Sequence, residues 1–443
     1  MEAFQVTGGK PLKGSVRIGG AKNASYKLMI ASLLASTESR LLNFSRISDV
    51  DTVAEIIASL GGGVKRAGER SIFIDPSSLQ SFDLSQANGQ QGRFSTMFIP
   101  ALIAKFGKAI VPMPGGDKIG RRPLERHFEG LDALGIRLRE ENGIVYAESA
   151  GLKGNRYRFI KNTHTGTETL LMAAVLAEGN TTIENAAEEP EIDDLITFLN
   201  EMGAKVERKP GRIIAIQGVP TLHGAIHKII PDRNEAVSYA CGALVTKGDV
   251  IIENANPEHL SAFLRKLDDI GAGYEIGNYG IRFFYKGPLQ ATDVTTEIAP
   301  GFMTDWQPLF ATLLTQCHGT SILHETIMQN RFQYVEALQN MGATIEKFNP
   351  EVADRNQTYN FNLEDDSPEY FHAIKITGPS ALKSGKFHVH DLRHGATLIL
   401  AALTAEGTSL IGGIEHVDRG YEALAERLTS MGADIKRVEV EDF

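Results

Sequence analysis

The sequence predicts an α/β protein of two domains, built from a repeat that occurs six times along the chain. The first observation is length, because 443 residues exceed what one ordinary hydrophobic core organises. The second is a helix end of the form Leu-x-x-apolar-Gly-small, followed each time by strand-like alternation. The glycines of these helix ends lie mostly about seventy residues apart, at Gly61, Gly135, Gly203, Gly271, Gly342 and Gly432.

The order of elements within one repeat follows from two signals. Each glycine suits the left-handed position just past a helix, and the residues after it alternate as in a strand, for instance 204–208. An apolar helix, a small turn and a β-branched strand precede such a helix end, as at 170–185, 236–254 and 396–411. Each repeat therefore reads strand, helix, strand, helix, strand, strand, and the six divide as three plus three with a boundary near Pro231.

Composition excludes several classes of protein. Hydrophobic residues make up 42% of the chain and charged residues 23%, which is typical of a folded soluble protein. Residues 1–12 lack a secretory pattern, and the apolar run 26–35 is broken by Lys27 and Ser32. Cys241 and Cys317 lie in helix-like apolar runs, so we expect buried free thiols and a cytoplasmic location. The net charge of −10 argues against general affinity for nucleic acid or anionic membranes.

One stretch concentrates both flexibility and charge, and a helical pattern follows it from Leu124. Its glycines allow sharp bends, and its prolines stiffen both ends. A hinged, charged segment suits an enzyme that handles an anionic substrate away from water, whereas a solvated surface turn is the alternative. The residues concerned are Pro114, Gly115, Gly116, Asp117, Lys118, Gly120, Arg121, Arg122 and Pro123.

The chain resembles the UDP-N-acetylglucosamine 1-carboxyvinyltransferases, which are enolpyruvyl transferases. The matching motifs run in family order over essentially the whole sequence, which is far more specific than any single glycine loop. They are Gly-Gly-Ala-Lys-Asn-Ala at 19–24, Gly-Arg-Phe-Ser at 92–95, the charged stretch 114–123, Glu-Pro-Glu-Ile at 189–192, Pro-Asp-Arg at 231–233, Thr-Asp at 304–305, Asn-Arg-Phe at 330–332, Asp-Leu-Arg at 391–393 and Asp-Arg-Gly-Tyr at 418–421.

The resemblance implies an architecture: a two-domain inside-out α/β barrel of the enolpyruvyl transferase type, with six βαβαββ repeats, three per domain. The domains would be residues 22–230, carrying a catalytic flap at about 112–124, and residues 1–21 plus 231–443. The active site would lie in the cleft between them. The resemblance also implies a monomer or weak homo-oligomer that needs no metal and no organic cofactor.

The reaction implied by the resemblance is transfer of the enolpyruvyl group of phosphoenolpyruvate to the 3-hydroxyl of UDP-N-acetylglucosamine. Phosphate is released by addition and elimination through a tetrahedral intermediate, in the first committed step of peptidoglycan synthesis. Phosphoenolpyruvate carries a phosphate and a carboxylate, so several cations must converge on it. By motif match these are Lys22, Arg122 and Arg419, with Arg93, Arg331 and Arg393 nearby.

Two aspartates match the carboxylates that the family uses for proton transfer. Asp305 would act at the sugar hydroxyl, and its alternative role is to cap the helix that begins near Trp306. Asp391 would lie near the methylene carbon of the enol, where Lys22 is a competing proton donor. The sequence does not separate these two.

The sugar nucleotide would be bound by Asn23, by the stretch beginning at Arg122, by Ile327 and by one further segment. That segment departs from the family pattern, which is closer to Lys-Val-Ser-Val-Gly, and it offers more hydrogen-bonding groups. Nucleotide and sugar preference therefore stay open. The segment consists of Asn162, Thr163, His164, Thr165 and Gly166.

Asp117 replaces the cysteine that most family members carry, the residue that the epoxide antibiotic fosfomycin alkylates. Aspartate is a far poorer soft nucleophile, so we expect an active enzyme that is insensitive to the drug. Asp117 would serve as a proton donor or in product release. Neighbouring cations favour its charged form, whereas substrate phosphate and exclusion of water favour the neutral form.

Two other functions stay open. The sibling activity, transfer of enolpyruvyl to shikimate 3-phosphate, normally begins with a Gly-Asp-Lys-Ser type motif, and Gly-Gly-Ala-Lys-Asn-Ala stands here instead. A paralogue that binds the sugar nucleotide without turnover is the other alternative, motivated by Asp117 and by residues 162–166.

Overall fold

The computed structural model describes residues 1–86, 94–115, 120–121 and 123–441. Contacts between Cα atoms divide these residues into two compact lobes. The first lobe comprises residues 19–115 and 123–230, and the second comprises residues 1–18, 120–121 and 231–441. The first strands of the chain therefore belong with its C-terminal half.

The helices are short. Helices α1 to α6 lie in the first lobe, and helices α7 to α14 lie in the second. In chain order they are α1 (Lys22–Ala31), α2 (Ser48–Ser59), α3 (Ile99–Phe106), α4 (Glu125–Ala133), α5 (His164–Ala174), α6 (Pro190–Glu201), α7 (Arg233–Val245), α8 (Ser261–Ile270), α9 (Gln307–Leu314), α10 (Val335–Asn340), α11 (Arg355–Thr358), α12 (Leu392–Thr404), α13 (Glu415–Asp418) and α14 (Leu424–Ser430). Among the described residues, 3₁₀ segments lie at Ser32–Leu34, Ser95–Phe98, Pro257–Leu260 and Leu363–Asp365.

The strands are also short, which fits repeats that each bury a small sheet. In chain order they are β1 (Glu2–Thr7), β2 (Lys13–Arg17), β3 (Ser39–Leu42), β4 (Gly63–Arg66), β5 (Ser71–Asp75), β6 (Lys108–Pro112), β7 (Arg137–Glu141), β8 (Ile144–Glu148), β9 (Arg156–Arg158), β10 (Asn180–Glu184), β11 (Lys205–Lys209), β12 (Ile213–Gln217), β13 (Ile226–Lys228), β14 (Asp249–Glu253), β15 (Gly273–Gly277), β16 (Gly280–Phe284), β17 (Val294–Thr295), β18 (Gly319–His324), β19 (Thr344–Phe348), β20 (Ala373–Gly378), β21 (Lys386–His388), β22 (Thr408–Gly412) and β23 (Asp434–Glu439).

The described strands form six sheets, one for each predicted repeat. In the third repeat, β9 and β10 are parallel, β10 pairs antiparallel with β12, and β12 pairs antiparallel with β11. The same arrangement gives β17-β18-β20-β19 in the fifth repeat. The second repeat has a three-stranded sheet, β6-β8-β7, with a single parallel bridge from Asp83 to Ile110 in place of its first strand.

Three repeats are completed by strands distant in sequence. In the first lobe, β13 pairs parallel with β3 and completes the sheet of the first repeat. In the second lobe, β2 pairs parallel with β14, and β1 lies between β22 and β23. In these three repeats, one strand of the sheet comes from a segment that is distant in sequence from the other strands.

In the second lobe, the first helix of each repeat is buried on all sides. Every residue of α7 and of α9 is buried, and in α12 only the last residue is not. These three helices contact one another at the centre of the second lobe. A helix without a solvent-facing side must be apolar nearly all round, because each fully buried leucine contributes about 1.5–3 kcal/mol.

The helix ends confirm the predicted repeat. All six glycines identified from the spacing have a left-handed backbone, with φ between 74° at Gly271 and 102° at Gly342. The residue after the second strand is a left-handed asparagine in three repeats, at Asn43, Asn185 and Asn254. The strands of the third and fourth repeats therefore end one residue earlier than the sequence pattern suggested.

The predicted fold class is confirmed, except that the lobes contain no closed barrel among the described strands. Three βαβαββ repeats make up each lobe, and their first helices are buried against the sheets. None of the six described sheets closes on itself, so each lobe is a group of open sheets around helices. Among the described residues, no helix combines the length and hydropathy that a membrane crossing requires. Cys241 and Cys317 are free and buried, as predicted.

Candidate active site

Several of the predicted site residues lie at one recurrent position of the repeat, the N-terminal end of a helix that follows a parallel strand. Lys22 opens α1, and Arg393 lies in the first turn of α12. Asp305 precedes α9, whose N-cap residue is Trp306, so Asp305 is not itself the cap of that helix. Ligands of α/β proteins commonly bind outside the carboxyl ends of parallel strands, because helix N-termini and loops meet there.

The second lobe brings three of these residues together. The Nη2 atom of Arg331 donates to Oδ1 of Asp305 at 2.9 Å, and Nη2 of Arg393 donates to Oδ2 at 3.4 Å. Both arginines are only 4% exposed, whereas the side chain of Asp305 is 27% exposed. The cluster therefore presents one accessible carboxylate between two buried guanidinium groups, and it can meet a hydroxyl and an anion at once.

Arg393 is held by more than Asp305. Its Nη1 atom donates to the hydroxyl of Tyr421 at 2.8 Å, and that hydroxyl lies 2.6 Å from Oγ of Ser238 in α7. Burial alone would lower the pKa of Arg393, but Tyr421 and the carboxylates of Asp305 and Asp232 raise it above its usual value. The guanidinium group is therefore charged and fixed in position.

A fully buried carboxylate, Glu325, stands behind this cluster at the end of β18. Its Oε2 atom accepts from Oγ1 of Thr304 at 2.9 Å, next to Asp305. Its Oε1 atom accepts from the backbone N–H groups of Ile327 at 2.8 Å and Met328 at 3.0 Å. Burial raises the pKa of Glu325, while these hydrogen bonds and the charge of Arg331 oppose the rise. Glu325 thus joins the segment of Asp305 to the segment of Ile327 and Arg331.

Asp391 and Asp232 act as helix caps. Oδ1 of Asp391 accepts from the backbone N–H groups of Arg393 at 2.9 Å and His394 at 3.0 Å. Asp232 caps α7 in the same way. The cap formed by Asp391 orients the α12 terminus that carries Arg393. Arg419, half-buried, follows α13 directly.

In the described part of the first lobe, the predicted cation Lys22 is paired. Nζ of Lys22 forms a buried ion pair with Oδ2 of Asp49, at the start of α2, and it lies 5.4 Å from the ring centroid of Tyr26. Asn23 is the next residue of α1 and is half-buried. A phosphate or carboxylate that approached Lys22 would therefore meet a cation already shared with Asp49.

A second buried ion pair joins α1 to α5. Lys27 pairs with Glu168, and both side chains are almost fully buried. Nε2 of His164, at the first position of α5, lies 3.2 Å from Oε1 of Glu168 and 3.4 Å from Nζ of Lys27. Burial and Lys27 lower the pKa of His164, but Glu168 and Glu189 raise it overall. His164 therefore belongs to a charged network inside the lobe.

The segment predicted to contact the sugar nucleotide forms the N-terminal turn of α5. Oγ1 of Thr163 accepts from the backbone N–H of Gly166 at 3.2 Å, which caps the helix. A Cβ atom at Gly166 would lie 2.4 Å from Cγ2 of Thr163, so only glycine fits beside this cap. Nδ2 of Asn162 donates to the carbonyl of Asn185 at 3.0 Å, and Oγ1 of Thr165 lies 2.9 Å from Nε2 of His127.

Three predicted residues, Arg93, Asp117 and Arg122, lie outside the described residues. Sequence reasoning missed Glu325, Glu168 and Asp49, which position or neutralise the residues that it found. The repeat offered a signal for two of them, because Glu325 follows β18 directly and Asp49 lies in the first turn of α2. Glu168 lies in the second turn of α5, where the repeat gave no signal. Among the described residues, no group of three or more metal-ligating side chains is arranged to hold a metal ion.

A cavity of about 730 Å³ lies in the second lobe. It is lined by residues of the connection between β19 and β20, among them Arg355, Tyr359, Asp366 and His372. None of the predicted site residues contributes to its lining. Because His372 and Arg355 both pair with Asp366, the charged groups at this cavity satisfy one another.

Comparison with known proteins agrees with this architecture. Residues 6–428 match the family described as EPSP synthase (3-phosphoshikimate 1-carboxyvinyltransferase). The enolpyruvyl transferase NikO from Streptomyces tendae has a TM-score of 0.83 at 22% identity and covers 98% of both chains. An EPSP synthase from Acinetobacter baumannii has a TM-score of 0.72 at 19% identity, over 99% of this chain and 100% of that one. At these identities the structures establish the fold.

Relatives in sequence are closer. UDP-N-acetylglucosamine 1-carboxyvinyltransferase 2 of Oceanobacillus iheyensis is 37% identical over 443 residues, covering 100% of this chain and 98% of the relative. UDP-N-acetylglucosamine 1-carboxyvinyltransferase 3 of Caldanaerobacter subterraneus subsp. tengcongensis is 40% identical over 438 residues, covering 99% and 100%.

The repeat architecture and the charged helix termini define a transferase with the enolpyruvyl transferase fold. Within that class, sequence identities of 37% and 40% over essentially the whole chain show that it belongs to the UDP-N-acetylglucosamine 1-carboxyvinyltransferase family.

Proposed function

We propose that this enzyme transfers the enolpyruvyl group of phosphoenolpyruvate to the 3-hydroxyl of UDP-N-acetylglucosamine and releases phosphate. The names of relatives that match over the whole chain support this substrate pair and a role in peptidoglycan synthesis. The single observation on which the mechanism rests is the accessible carboxylate of Asp305 between Arg331 and Arg393.

In the proposed addition, Asp305 accepts the proton of the sugar 3-hydroxyl, and the oxygen of that hydroxyl bonds to C2 of the enol. The methylene carbon gains a proton, which produces the tetrahedral intermediate. In the elimination, the bond from C2 to the phosphate oxygen breaks and the methyl group loses a proton, restoring the double bond. Arg331 and Arg393 carry the buried positive charge that an anionic substrate and intermediate require.

The remaining assignments belong to the same proposal. Lys22, Arg93, Arg122 and Arg419 would bind phosphoenolpyruvate, while Asn23, Ile327 and residues 162–166 would bind the sugar nucleotide. Lys22, Asp117 and Asp391 stay alternatives for the group that protonates the methylene carbon. Because Asp391 already accepts two backbone hydrogen bonds at the α12 terminus, orienting Arg393 is the role its contacts favour.

The test is phosphate release from phosphoenolpyruvate by the purified protein, with UDP-N-acetylglucosamine or shikimate 3-phosphate as the acceptor. We expect release with the sugar nucleotide only. Release with shikimate 3-phosphate would favour the activity named in the matching family description. Binding of the sugar nucleotide without release from either acceptor would favour a non-catalytic paralogue.

Adding fosfomycin to the same assay tests Asp117. We propose that the drug leaves activity unchanged, because a carboxylate is a poor nucleophile towards the epoxide. The matched variant is Asp117→Cys, which we expect to lose activity with time in the presence of the drug. Time-dependent inactivation of the unaltered enzyme would contradict the proposal.

A further inference from the structure

The fifth repeat differs from the others in the connection between its last two strands. In the first four repeats, short turns at residues 67–70, 142–143, 210–212 and 278–279 make this connection. Between β19 and β20 it spans residues 349–372 and contains α11 and a 3₁₀ segment. We call residues 349–372 the insertion. Because a two-stranded hairpin needs only a tight turn, the insertion is not required by the fold of the repeat.

The insertion is anchored beside the cluster around Asp305. The backbone N–H of Asn360 donates to the carbonyl of Thr326 at 2.8 Å, and the N–H of Glu325 donates to the carbonyl of His372 at 2.7 Å. Within the insertion, the rings of Tyr359 and Phe361 stack at 4.9 Å. The insertion is therefore an ordered part of the second lobe, attached to the segment that carries Glu325.

The insertion also contacts the end of the charged stretch identified from sequence. Nη1 of Arg121 donates to Oδ1 of Asp365 at 2.6 Å. The Asp365 side chain is only 3% exposed, whereas that of Arg121 is 59% exposed. A carboxylate taken out of water needs a partner, and the cation that the structure supplies comes from residue 121. Nδ2 of Asn362 donates to the other oxygen at 3.3 Å.

The same end of the stretch is held by Gln329. Its Nε2 atom donates to the carbonyl of Arg121 at 3.1 Å. Gly120 has φ of 109°, and a Cβ atom there would lie 2.4 Å from Oε1 of Gln329. Gln329 thus holds this end through a backbone hydrogen bond and through close packing against Gly120, and Asp365 holds it through the ion pair with Arg121.

We propose that Asp365 is a positioning residue, which acts through Arg121 to fix Gly120 and Arg121. The sequence neighbours of these two residues include Asp117 and Arg122, to which the proposed function assigns roles in the reaction. The proposal rests on the proposed function for its kinetic consequence. It assigns a task to an insertion that the repeat itself does not need. A group held in register with its substrate contributes strongly to rate, so loss of the anchor lowers catalysis without unfolding the chain.

The first experiment compares Asp365→Asn with the unaltered enzyme by steady-state kinetics. We expect kcat/KM for phosphoenolpyruvate to fall about three- to tenfold, an effect the size of a partly buried charge pair. The midpoint of thermal unfolding should stay unchanged, because the Asp365→Asn side chain is neutral and the Arg121 side chain is 59% exposed. KM for the sugar nucleotide should move less than KM for phosphoenolpyruvate.

A double-mutant cycle makes the result specific. Asp365→Asn should have no further effect in the background of Arg121→Ala, because the pair is already broken. Arg355→Ala is the matched control, since Arg355 is another exposed arginine that pairs at 2.6 Å with the neighbouring aspartate, Asp366. We expect this control to leave kcat/KM unchanged. Equal losses from Asp365→Asn in both backgrounds, or no loss in either, would overturn the proposal.

Hydrogen exchange separates this proposal from the proposed function. In Asp365→Asn, peptides covering residues 113–127 should exchange faster than in the unaltered protein, and in Arg355→Ala they should not. If the unaltered protein releases no phosphate, the proposed function fails, and the exchange experiment alone decides whether Asp365 anchors the stretch. Unchanged exchange in Asp365→Asn would contradict the anchor whatever the kinetics.

Discussion

The two lobes use charge at their helix termini in opposite ways. In the second lobe, the carboxylate of Asp305 stays partly exposed while Arg331 and Arg393 are buried around it. In the first lobe, the cations Lys22 and Lys27 are buried, and Asp49 and Glu168 neutralise them. The second lobe thus presents an accessible carboxylate, whereas the first lobe holds internal ion pairs.

This difference shows that residue type at a helix terminus does not define its role. A buried ion pair contributes little net stability, but removing one partner is costly, because the other charge is left in a medium of low polarity. A carboxylate that keeps part of its surface in water, between fixed cations, can exchange a proton with a substrate. Substitutions in the two lobes should therefore have different consequences, for turnover in the second and for stability in the first.

The largest expected effect is on turnover, from Asp305→Asn. Asparagine keeps the shape but cannot accept the hydroxyl proton, so kcat should fall at least about a hundredfold. Binding of the sugar nucleotide, measured by calorimetry, should be retained. Asp434→Asn, which alters an exposed carboxylate paired with Lys10, is the control and should leave kcat unchanged. A loss of less than about threefold from Asp305→Asn would remove the contrast between the lobes.

The next effect is on stability, from Glu168→Gln in the first lobe. The substitution leaves the buried ammonium group of Lys27 without a countercharge, which should cost about 3–5 kcal/mol of unfolding free energy. Urea denaturation measures this cost. The double variant Lys27→Met with Glu168→Leu removes both charges and should lie closer to the unaltered protein. If the double variant is less stable than Glu168→Gln, the ion pair itself stabilises the lobe.

A smaller effect is expected from Glu325→Gln in the second lobe. The amide can present only one acceptor oxygen, so either Thr304 or the backbone N–H groups of Ile327 and Met328 lose their partner. The unfolding free energy should fall by about 1–3 kcal/mol. We also expect lower kcat/KM, because Glu325 no longer joins the segment of Asp305 firmly to the segment of Arg331. Glu253→Gln, at the end of β14, is the matched control and should change neither quantity.

The smallest effect concerns pH and His227 in the first lobe. Nε2 of His227 lies 2.9 Å from Asp194, and Nδ1 lies 2.8 Å from Glu201. Burial lowers the pKa of His227, but the two carboxylates raise it overall. A histidine with a raised folded-state pKa stabilises the fold fully below its unfolded pKa, near 6.5, and this contribution is lost as pH rises through the folded value.

Comparing the unaltered protein with His227→Asn by urea denaturation between pH 5.5 and 9 measures that contribution. The difference in unfolding free energy should be largest at the acidic end and should shrink towards alkaline pH. A difference that does not vary with pH would show that His227 acts through packing rather than through charge.

Much of the fold was predictable because its signals are local. A helix end with glycine and an alternating strand involve only a few neighbouring residues, so six copies can be read from the spacing alone. The roles of β1, β2 and β13 were not readable from that pattern. Each of these strands completes a sheet whose other members are far away in sequence.

The candidate site divides in the same way. Asp305, Arg331 and Arg393 could be named from their motifs, and the structure brings them together. Their motifs did not indicate that Asp391 caps a helix or that Lys22 is paired with Asp49. His164 was predicted as part of the segment that contacts the sugar nucleotide, and the motif did not indicate its contacts with Lys27 and Glu168.

The sequence by itself determined the repeat and the fold class and named candidates for the site, because periodicity, glycine positions and motif order are properties of short segments. Only the tertiary structure decided which charges neutralise each other and which stay accessible. Asp305 and Arg393 are 88 residues apart in the chain, and Arg121 and Asp365 are 244 apart. Burial and pairing at such separations depend on how the repeats pack, and no local pattern records that packing.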